Sequence, residues 1–428
     1  MNDLALISVF FNYENYESRK RNVNTFLEYI EKSGVTNHLY IAEILYKNQK
    51  PFIHHKNTIY LRCETPVWNK EAALNVLAKQ LPSQYTKIMW VDMDIMWFNS
   101  NWYNDISKLL DNYKVIQPYS YCNYLTTKYE IENKAIGYIK HEMSEYVPQL
   151  GVSYGFALAH QREFYEKFGL FDKFILGGGG DTILAIPPTG KFDRFEEKAR
   201  GMCCYDIWAE VKDYFHKTEE YINGNYCFYD DEIVHLFHGR LKDRNPSIRI
   251  DLISSFKFYE TIHKNHEGIY EIKTEKNHLK QQFTNYFKNR NEDIFQTIEL
   301  IGKESYDVEK HKNVNFLWLS EQTSFKFNKS AKVKLYFSRN ENQKTTKYLN
   351  IIYSYGKFIE QRIFDANGVL EIILDVNDSE IITFSGDYFI PKIIEKKSND
   401  GRKLSCILVK VEIDYGNGIY ENYPLINL

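Results

Sequence analysis

Two aspartates that directly follow a short apolar run constrain this chain more than any other feature. The run extends from Ile88 to Val91, and Asp92 and Asp94 come after it. Consecutive apolar residues of this kind are typical of a buried strand in a parallel sheet. Residues two apart on a strand point to the same side, and open α/β sheets bind ligands at the carboxyl ends of their strands. The pattern therefore predicts two adjacent carboxylates at a ligand-binding edge.

Two neighbouring carboxylates repel each other unless a cation or a phosphate-bound metal neutralises them, so the pair is a candidate metal site. The alternative is that Asp92 caps the next turn and that Asp94 is solvated. An isolated Asp-x-Asp is too short to decide between these two interpretations. The decision depends on the other polar clusters in the chain.

The first 240 residues alternate between predicted strands and predicted helices. The predicted strands are Ala5–Phe11, His38–Leu45, Thr58–Leu61, Ile88–Val91, Val115–Gln117, Tyr154–Ala159 and the short apolar segment His235–Phe237. The predicted helices are Tyr16–Lys32, Trp68–Gln80, Trp102–Leu110, Arg162–Phe168, about 206–221, Asn245–Lys264 and Glu275–Asn289. This alternation predicts an α/β fold with a mostly parallel sheet and flanking helices.

From about Leu317 the pattern changes to short β-rich runs separated by Asn, Gly and Asp. Such spacing predicts an antiparallel β-sandwich. We therefore expect a catalytic domain at 1–290 with a helical tail from about 245, a linker at 291–313 and a β-sandwich accessory domain at 314–428. Glycan binding, oligomerisation and partner docking all remain open as roles for the accessory domain, and the oligomeric state of the chain is open too.

Charge and composition exclude several classes of protein. A net charge of -3 argues against a nucleic-acid binder, which needs a basic face. Six cysteines without a C-x-x-C pair favour reduced thiols in a cytoplasmic protein. The N-terminus has no signal-peptide pattern, and no apolar run approaches the roughly 18 residues of a spanning helix. We expect any membrane contact to be peripheral.

Three further clusters carry candidate chemistry. Lys70 lies at the start of a predicted helix, where anionic phosphates bind well, although the helix can equally be an ordinary capped amphipathic one. Asp181 ends the run Gly177-Gly-Gly-Gly-Asp181, whose glycines let a ligand approach the backbone; the alternative is a simple N-cap. His235 and His238 are three residues apart and can share one metal, or one can be buried and the other exposed. Arg240 follows them and can clamp a diphosphate or be solvated.

Together, and in this order, the clusters resemble the motifs of GT-A glycosyltransferases, most specifically the metal-dependent β-1,4-galactosyltransferase family. That family has Phe-Asn-Arg-Ala-x-x-Leu-Asn, then a strand ending in Asp-Val-Asp, then Phe-Gly-Gly-Val, Trp-Gly-Gly-Glu-Asp and Met-x-x-His-Ser-Arg. The matching segments here, over about residues 3–250, are Trp68 to Asn75, Asp92-Met-Asp94, Tyr154-Gly-Phe-Ala, Leu176 to Asp181 and His235 to Arg240.

The resemblance implies a GT-A, Rossmann-like fold and transfer of a hexose from a UDP-sugar to a glycan or glycoconjugate hydroxyl, with inversion. Asp94, His235 and His238 would ligate Mn²⁺, with Mg²⁺ as the alternative, and Asp181 would be the base. The residues that would contact the donor are Phe11, Asn12, Trp68, Lys70, Asp92, Met93 and Arg240. The family's Glu-Asp pair is a single aspartate here, and the tryptophans of its acceptor pocket are missing. The acceptor is therefore not identified.

Two rival functions remain. A nucleotidyltransferase shares this fold type but usually has a Gly-rich, basic loop after the first strand, where this chain has Asn12-Tyr-Glu-Asn-Tyr16. A non-catalytic sugar-binding protein would not need both an Asp-x-Asp and a His-x-x-His. Both features favour the transferase.

Overall fold

The structure is a computed structural model of the full chain. It describes residues 3–126, 129–145, 149–176, 179–239, 252–253, 256–290, 292–293, 298–301, 309–311, 314–319, 322–327, 331–339, 348–353, 359–376, 380–385, 406–414 and 420–423. These residues group into two units, 1–293 and 294–428, and each unit is described by itself.

The first unit contains fourteen described strands and ten described α-helices. The strands are β1 Leu4–Phe11, β2 Leu39–Tyr46, β3 Thr58–Cys63, β4 Lys87–Val91, β5 Ile95–Trp97, β6 Val115–Gln117, β7 Tyr121–Leu125, β8 Ile131–Gly137, β9 Gly151–Ser153, β10 Ala157–Gln161, β11 Tyr226–Phe228, β12 Glu232–His235, β13 Ile262–Lys264 and β14 Tyr270–Ile272. The helices are α1 Glu17–Lys32, α2 Lys70–Gln80, α3 Trp102–Leu109, α4 Tyr138–Met143, α5 Arg162–Lys167, α6 Gly180–Ala185, α7 Phe192–Arg200, α8 Trp208–Ile222, α9 Phe258–Thr261 and α10 Asn277–Lys288. Short 3-10 helices lie at Thr36–His38, Pro187–Thr189 and Tyr205–Ile207.

The central sheet has seven strands in the order β11-β6-β10-β4-β1-β2-β3. Strand β10 runs antiparallel to both of its neighbours, and the other neighbouring pairs are parallel. The expected mostly parallel sheet with flanking helices is therefore present. The antiparallel direction of β10 was not anticipated.

Strands β4 and β1, in the middle of the sheet, are buried on both faces, which explains their continuous apolar sequence. Ile88 and Trp90 of β4 pack in one hydrophobic core with α2, whereas Met89 and Val91 pack in another with α1 and α3. Successive side chains of a strand point to opposite faces, so the uninterrupted run fills both cores at once. Hydrophobic burial on both sides fixes the position of the loop that begins at Asp92.

A second sheet brings distant segments to that loop. Its five strands lie in the order β5-β12-β7-β8-β9. Strand β12 pairs antiparallel with β5, and the register sets His235 opposite Ile95, the residue after Asp94. This pairing places the histidine segment beside the second aspartate.

Three predicted elements differ from the structure. The strand expected from Tyr154 begins at Ala157 instead, because Phe156 has a left-handed backbone with φ 76° that a strand cannot accommodate. The helix expected at Asn245–Lys264 is wrong at its end, since Ile262–Lys264 is a strand paired with β14; residues 245–251, 254 and 255 lie outside the described residues. The apolar segment 235–237 is the end of β12 and the turn after it.

The second unit is built from antiparallel strands, as the sequence predicts. Its described strands are β15 Ile298–Ile301, β16 Glu309–His311, β17 Val314–Trp318, β18 Gln322–Phe327, β19 Ala331–Ser338, β20 Tyr348–Tyr353, β21 Ile359–Ile363, β22 Val369–Val376, β23 Glu380–Ser385, β24 Ile407–Asp414 and β25 Glu421–Tyr423. They form two sheets, β15-β18-β23-β20-β21 and β16-β17-β24-β19-β22 with β25 beside β24, which share one apolar core. Strands β15 and β16 lie in the segment that we expected to be linker. Among the described helices of the chain, none is long and apolar enough to cross a membrane.

Candidate functional site

A cleft opens at the carboxyl ends of β1 and β4, beside the first turn of α2. Nine of the eleven site residues predicted from the sequence line it: Phe11, Trp68, Lys70, Asp92, Met93, Asp94, Asp181, His235 and His238. These residues come from segments up to about 230 positions apart in the sequence, so the fold, and no single local motif, assembles the cleft.

The other two predicted residues are not among the described residues that line the cleft. The side chain of Asn12 is bonded to the start of α1, where its Oδ1 accepts the backbone N–H of Tyr16 at 2.7 Å and its Nδ2 donates to the Tyr16 carbonyl at 2.8 Å. Asn12 therefore fixes the turn between β1 and α1. Arg240 lies outside the described residues.

Asp94, His235 and His238 converge at one end of the cleft. The Nε2 atoms of His238 and His235 lie 3.1 Å and 3.6 Å from Oδ2 of Asp94, and one candidate ligand atom from each residue lies within 4.8 Å of the others. Both histidines are buried. Ligand atoms at about 2.0–2.2 Å from a metal are roughly 3–4.5 Å apart, so this set is close to the separation that a cation requires.

Backbone and aromatic contacts hold this cluster in place. The backbone N–H of Leu236 donates to the Asp94 carbonyl at 2.8 Å. The rings of Phe156 and Tyr124 lie 4.8 Å and 5.3 Å from the His235 ring. His235 is therefore packed against two aromatic rings, which lowers the entropic cost of ordering it for a ligand.

A buried carboxylate stands behind the second histidine. Oε2 of Glu292 lies 3.2 Å from Nδ1 of His238, on the opposite side of the ring from Asp94. Burial tends to raise the pKa of Glu292, but the charges of Arg19 and Arg290 outweigh it and hold the pKa well below its usual value. Glu292 therefore stays ionised.

Lys70 lies between two carboxylates of the cleft. Its Nζ is 2.7 Å from Oδ1 of Asp92, 3.1 Å from Oδ1 of Asp181 and 4.1 Å from the centre of the Trp90 ring. Burial alone would lower the pKa of Lys70, but the charges of Asp181 and Asp92 outweigh it and raise the pKa. Lys70 is therefore a permanent cation that draws Asp92 and Asp181 together.

The first of these carboxylates has a perturbed pKa. Burial raises the pKa of Asp92 to about 7, with Lys70 opposing the rise and Asp181 and Asp94 adding to it. Three carboxylates facing a single lysine create an excess of negative charge. This arrangement is the electrostatic condition under which a bound cation is favourable.

Glycines make room for Asp181 and for a second acid beneath it. A Cβ on Gly155 would lie 2.5 Å from Oδ2 of Asp181, and a Cβ on Gly180 would lie 2.1 Å from Oε1 of Glu71. Both distances are shorter than real Cβ contacts, so an added Cβ at either position would displace the carboxylate that it meets. Gly177 and Gly178, the first half of the predicted glycine run, lie outside the described residues.

Glu71 is 3% exposed, and no described group forms a hydrogen bond to its Oε2. Burial raises the pKa of Glu71 to about 8, with Lys70 opposing the rise and Asp181 adding to it. The carboxyl group of Glu71, which lies beside Gly180, is therefore largely neutral near neutral pH.

Phe156 has the left-handed backbone noted above, which is unusual for a bulky residue and costs of order 1–3 kcal/mol. Its carbonyl accepts the backbone N–H of Asp92 at 2.7 Å, and its ring contacts His235. The strained residue thus connects the aspartate loop to the histidine segment. Strain of this kind is concentrated at functional sites.

Aromatic rings and two arginines form the other side of the cleft. Phe11 and Trp68 meet edge to face at 4.9 Å, and Arg290 lies 5.4 Å from the centre of the Trp68 ring. Arg19 lies 5.3 Å from the centre of the Phe11 ring. This wall combines flat apolar surfaces with positive charge.

Sequence reasoning missed several residues of this site: Arg19, Glu71, Phe156, Arg290 and Glu292. Arg19 and Arg290 lie in ordinary helical and polar contexts, and Glu292 lies in the segment predicted as linker. Glu71 follows Lys70 directly, and it stands out only through its burial, which the sequence does not reveal.

Comparisons with known proteins give only remote matches. No protein-family model and no curated protein matches the sequence. Among solved structures, the catalytic domain of Drosophila beta1,4-galactosyltransferase 7 in complex with xylobiose is 12% identical at a TM-score of 0.30, covering 65% of this chain and 98% of that chain. A Bacillus anthracis protein described as a glucose-1-phosphate thymidylyltransferase is 6% identical at a TM-score of 0.28, covering 60% and 97%. A family 35 carbohydrate-binding module from an environmental isolate is 9% identical at 0.20, covering 30% and 94%. Similarities of this size establish neither a family nor an activity for this chain.

Proposed function

We propose that this chain is a metal-dependent glycosyltransferase that moves a hexose from a UDP-sugar to a hydroxyl of a glycan or glycoconjugate. The observation that carries the proposal is the convergence in one cleft of Asp94, His235 and His238 with the Lys70–Asp92–Asp181 network. Neither group alone would suffice, because buried ion pairs and histidine pairs both occur in structural roles.

The metal would be held by Asp94, His235 and His238. A mixed carboxylate and imidazole set favours Mn²⁺ over Mg²⁺, which prefers oxygen ligands. When bound, the cation supplies charge stabilisation to the diphosphate that leaves with the nucleotide.

The donor nucleotide would lie along the aromatic and basic wall. Phe11 and Trp68 offer flat surfaces to a base or ribose, and Asp92 and Met93 line the same cleft. Arg19, Arg290 and Lys70 are the described cations that line the cleft, and they can offset the charge of a diphosphate. A diphosphate contact by Arg240 remains a prediction.

The chain's own acid–base group would be Asp181. It would accept the proton of the acceptor hydroxyl as that oxygen bonds to the anomeric carbon, while the bond from this carbon to the phosphate oxygen breaks. The side chain of Asp181 is one-third exposed and therefore accessible to an acceptor. Attack from the face opposite the leaving group would invert the anomeric configuration.

Release of UDP from a panel of UDP-sugars, with and without Mn²⁺ and over a panel of glycan acceptors, tests the proposal. Manganese-dependent UDP release is the expected result. The absence of turnover and of binding with every nucleotide sugar would rule the proposal out.

The role of Asp181 is tested with Asp181→Asn, with Asp213→Asn on the exposed face of α8 as the matched control. We expect Asp181→Asn to lose about 10²–10⁴-fold in transfer rate and to keep its affinity for UDP. Full transfer by Asp181→Asn would refute the assignment, and an α-linked product from an α-linked donor would refute inversion.

The nucleotidyltransferase alternative is disfavoured by the turn after β1. Asn12 binds the backbone of Tyr16 there, and the turn has no glycine-rich basic loop to surround a triphosphate. Formation of pyrophosphate from a nucleoside triphosphate and a sugar phosphate would reverse this preference. A purely sugar-binding protein would show neither reaction.

A further inference from the structure

We propose that Glu292 is a positioning residue of the metal centre, which fixes the ring of His238 so that its Nε2 faces the ligand site. The inference rests on the metal site of the proposed function and extends it to a residue outside the recognised motifs. Glu292 also lies beyond residue 290, where we expected the catalytic domain to end.

The two ring nitrogens of His238 face two different carboxylates. Nδ1 lies 3.2 Å from Oε2 of Glu292, and Nε2 lies 3.1 Å from Oδ2 of Asp94. An ionised carboxylate can only accept a hydrogen bond, so Glu292 requires the proton on Nδ1. With its proton on Nδ1, the ring can offer the lone pair of Nε2 to a metal that also binds Asp94.

The carboxylate is itself fixed by two cations. Its Oε1 accepts from Nη2 of Arg19 at 3.0 Å and from Nε of Arg290 at 2.7 Å, and Nε of Arg19 also binds Oε2. The side chain of Glu292 is 1% exposed. A fully buried charge persists only when it is paired in this way, and the pairing leaves the carboxylate little freedom to turn away from His238.

The backbone around Glu292 is held as firmly as its side chain. The hydroxyl of Ser18 donates to the Glu292 carbonyl at 2.9 Å. The next residue, Asp293, accepts the backbone N–H groups of Glu17 and Ser18 at 2.8 Å and 2.7 Å. Asp293 thus satisfies donors at the start of α1 that no helical carbonyl can reach, and it anchors the segment against that helix.

These neighbours have separable roles, which supplies a matched control. Asp293 caps a helix and contacts no group of the metal centre in the described structure, whereas Glu292 reaches the centre through His238. Glu292→Gln removes the charge and keeps the shape. Asp293→Asn makes the same chemical change one residue away.

The experiment is calorimetric titration of Mn²⁺ into the metal-free wild-type protein and into three variants, Glu292→Gln, Glu292→Ala and Asp293→Asn. The melting temperature of each protein is also recorded. We expect Glu292→Gln and Glu292→Ala to weaken Mn²⁺ binding about 10–100-fold. Asp293→Asn should keep the wild-type affinity and melt at a lower temperature.

A spectroscopic measurement separates positioning from a general loss of structure. In ¹⁵N-histidine-labelled protein loaded with diamagnetic Zn²⁺, His238 should carry its proton on Nδ1 in the wild type and should lose this uniform tautomer in Glu292→Gln. Unchanged Mn²⁺ affinity and an unchanged tautomer in folded Glu292→Gln would overturn the inference and leave the proposed function intact. Failure of the wild type to bind Mn²⁺ would overturn both.

Discussion

Replacement of Glu71 by glutamine should make the protein more stable, and the gain should depend on pH. Glu71 is buried beside Gly180, and its pKa is raised from 4.5 to about 8. Because the folded-state pKa lies above the unfolded-state value, the folded protein holds a proton that the unfolded chain has released between these two pH values. The free energy of unfolding is therefore highest, with respect to Glu71, below about pH 4.5, and it falls as the pH rises through this window.

The magnitude follows from the width of the window. Each pH unit between the two pKa values costs about 1.4 kcal/mol of unfolding free energy. Relative to its value below pH 4.5, the unfolding free energy of the wild type is therefore lower by less than about 1 kcal/mol at pH 5 and by roughly 3 kcal/mol at pH 7. Glutamine has the shape of the neutral acid and does not titrate, so Glu71→Gln should be more stable than the wild type by these amounts.

Tryptophan fluorescence during urea unfolding is a suitable assay, because five of the six tryptophans lie in the first unit. The titrations are run in EDTA at pH 5, 6, 7 and 8, so that no metal alters the charges of the cleft. Glu166→Gln makes the same chemical change at an exposed site on α5 and should show no pH-dependent gain. A difference between wild type and Glu71→Gln that does not change with pH would refute the reasoning.

Further predictions concern the base and a buried imidazole. Gly155→Ala pushes a Cβ against the Asp181 carboxylate, so the transfer rate should fall about 10²-fold while the affinity for Mn²⁺ stays unchanged. The control is Gly151→Ala, whose Cβ meets no atom within 4 Å and which should transfer at the wild-type rate. Equal transfer rates for the two variants would contradict the role given to Asp181. Burial lowers the pKa of His160 from 6.5 to about 3, so the unfolded chain binds the extra proton and stability falls as the pH drops below 6.5. The difference in unfolding free energy between His160→Phe and the wild type should therefore be about 2 kcal/mol more favourable to the variant at pH 5 than at pH 8. The same unfolding assay measures it. An equal difference at both pH values would argue against a buried neutral imidazole.

The central strands of the main sheet could be predicted because they are continuous apolar runs, whereas the three-residue edge strand β11 gives no such signal. The run from Lys87 to Val91 is fully buried, and hydrophobic periodicity reports burial directly. The antiparallel insertion of β10 and the left-handed Phe156 could not be predicted, since both depend on pairing between distant segments. Non-glycine residues with positive φ have no reliable sequence signal.

The candidate site likewise contains residues that the sequence could predict and residues that it could not. Motif spacing identified Asp92, Asp94, His235 and His238. Ligands at the end of one strand or in one short turn are close in the sequence, so they form a recognisable local pattern. Glu292 left none, since its contact with His238 spans 54 residues. The side chain of Asn12 is bonded to the start of α1, because a polar residue after a strand can also serve the next helix, and its contact with a donor stays a prediction.

The most direct test of the metal centre is an anomalous difference map from crystals of the protein soaked in Mn²⁺ and UDP, recorded at the manganese absorption edge. We predict one strong peak within about 2.0–2.3 Å of Asp94, His235 and His238, with the diphosphate of UDP on its cleft side. A peak elsewhere, or no peak at these three residues in crystals that contain bound UDP, would contradict it.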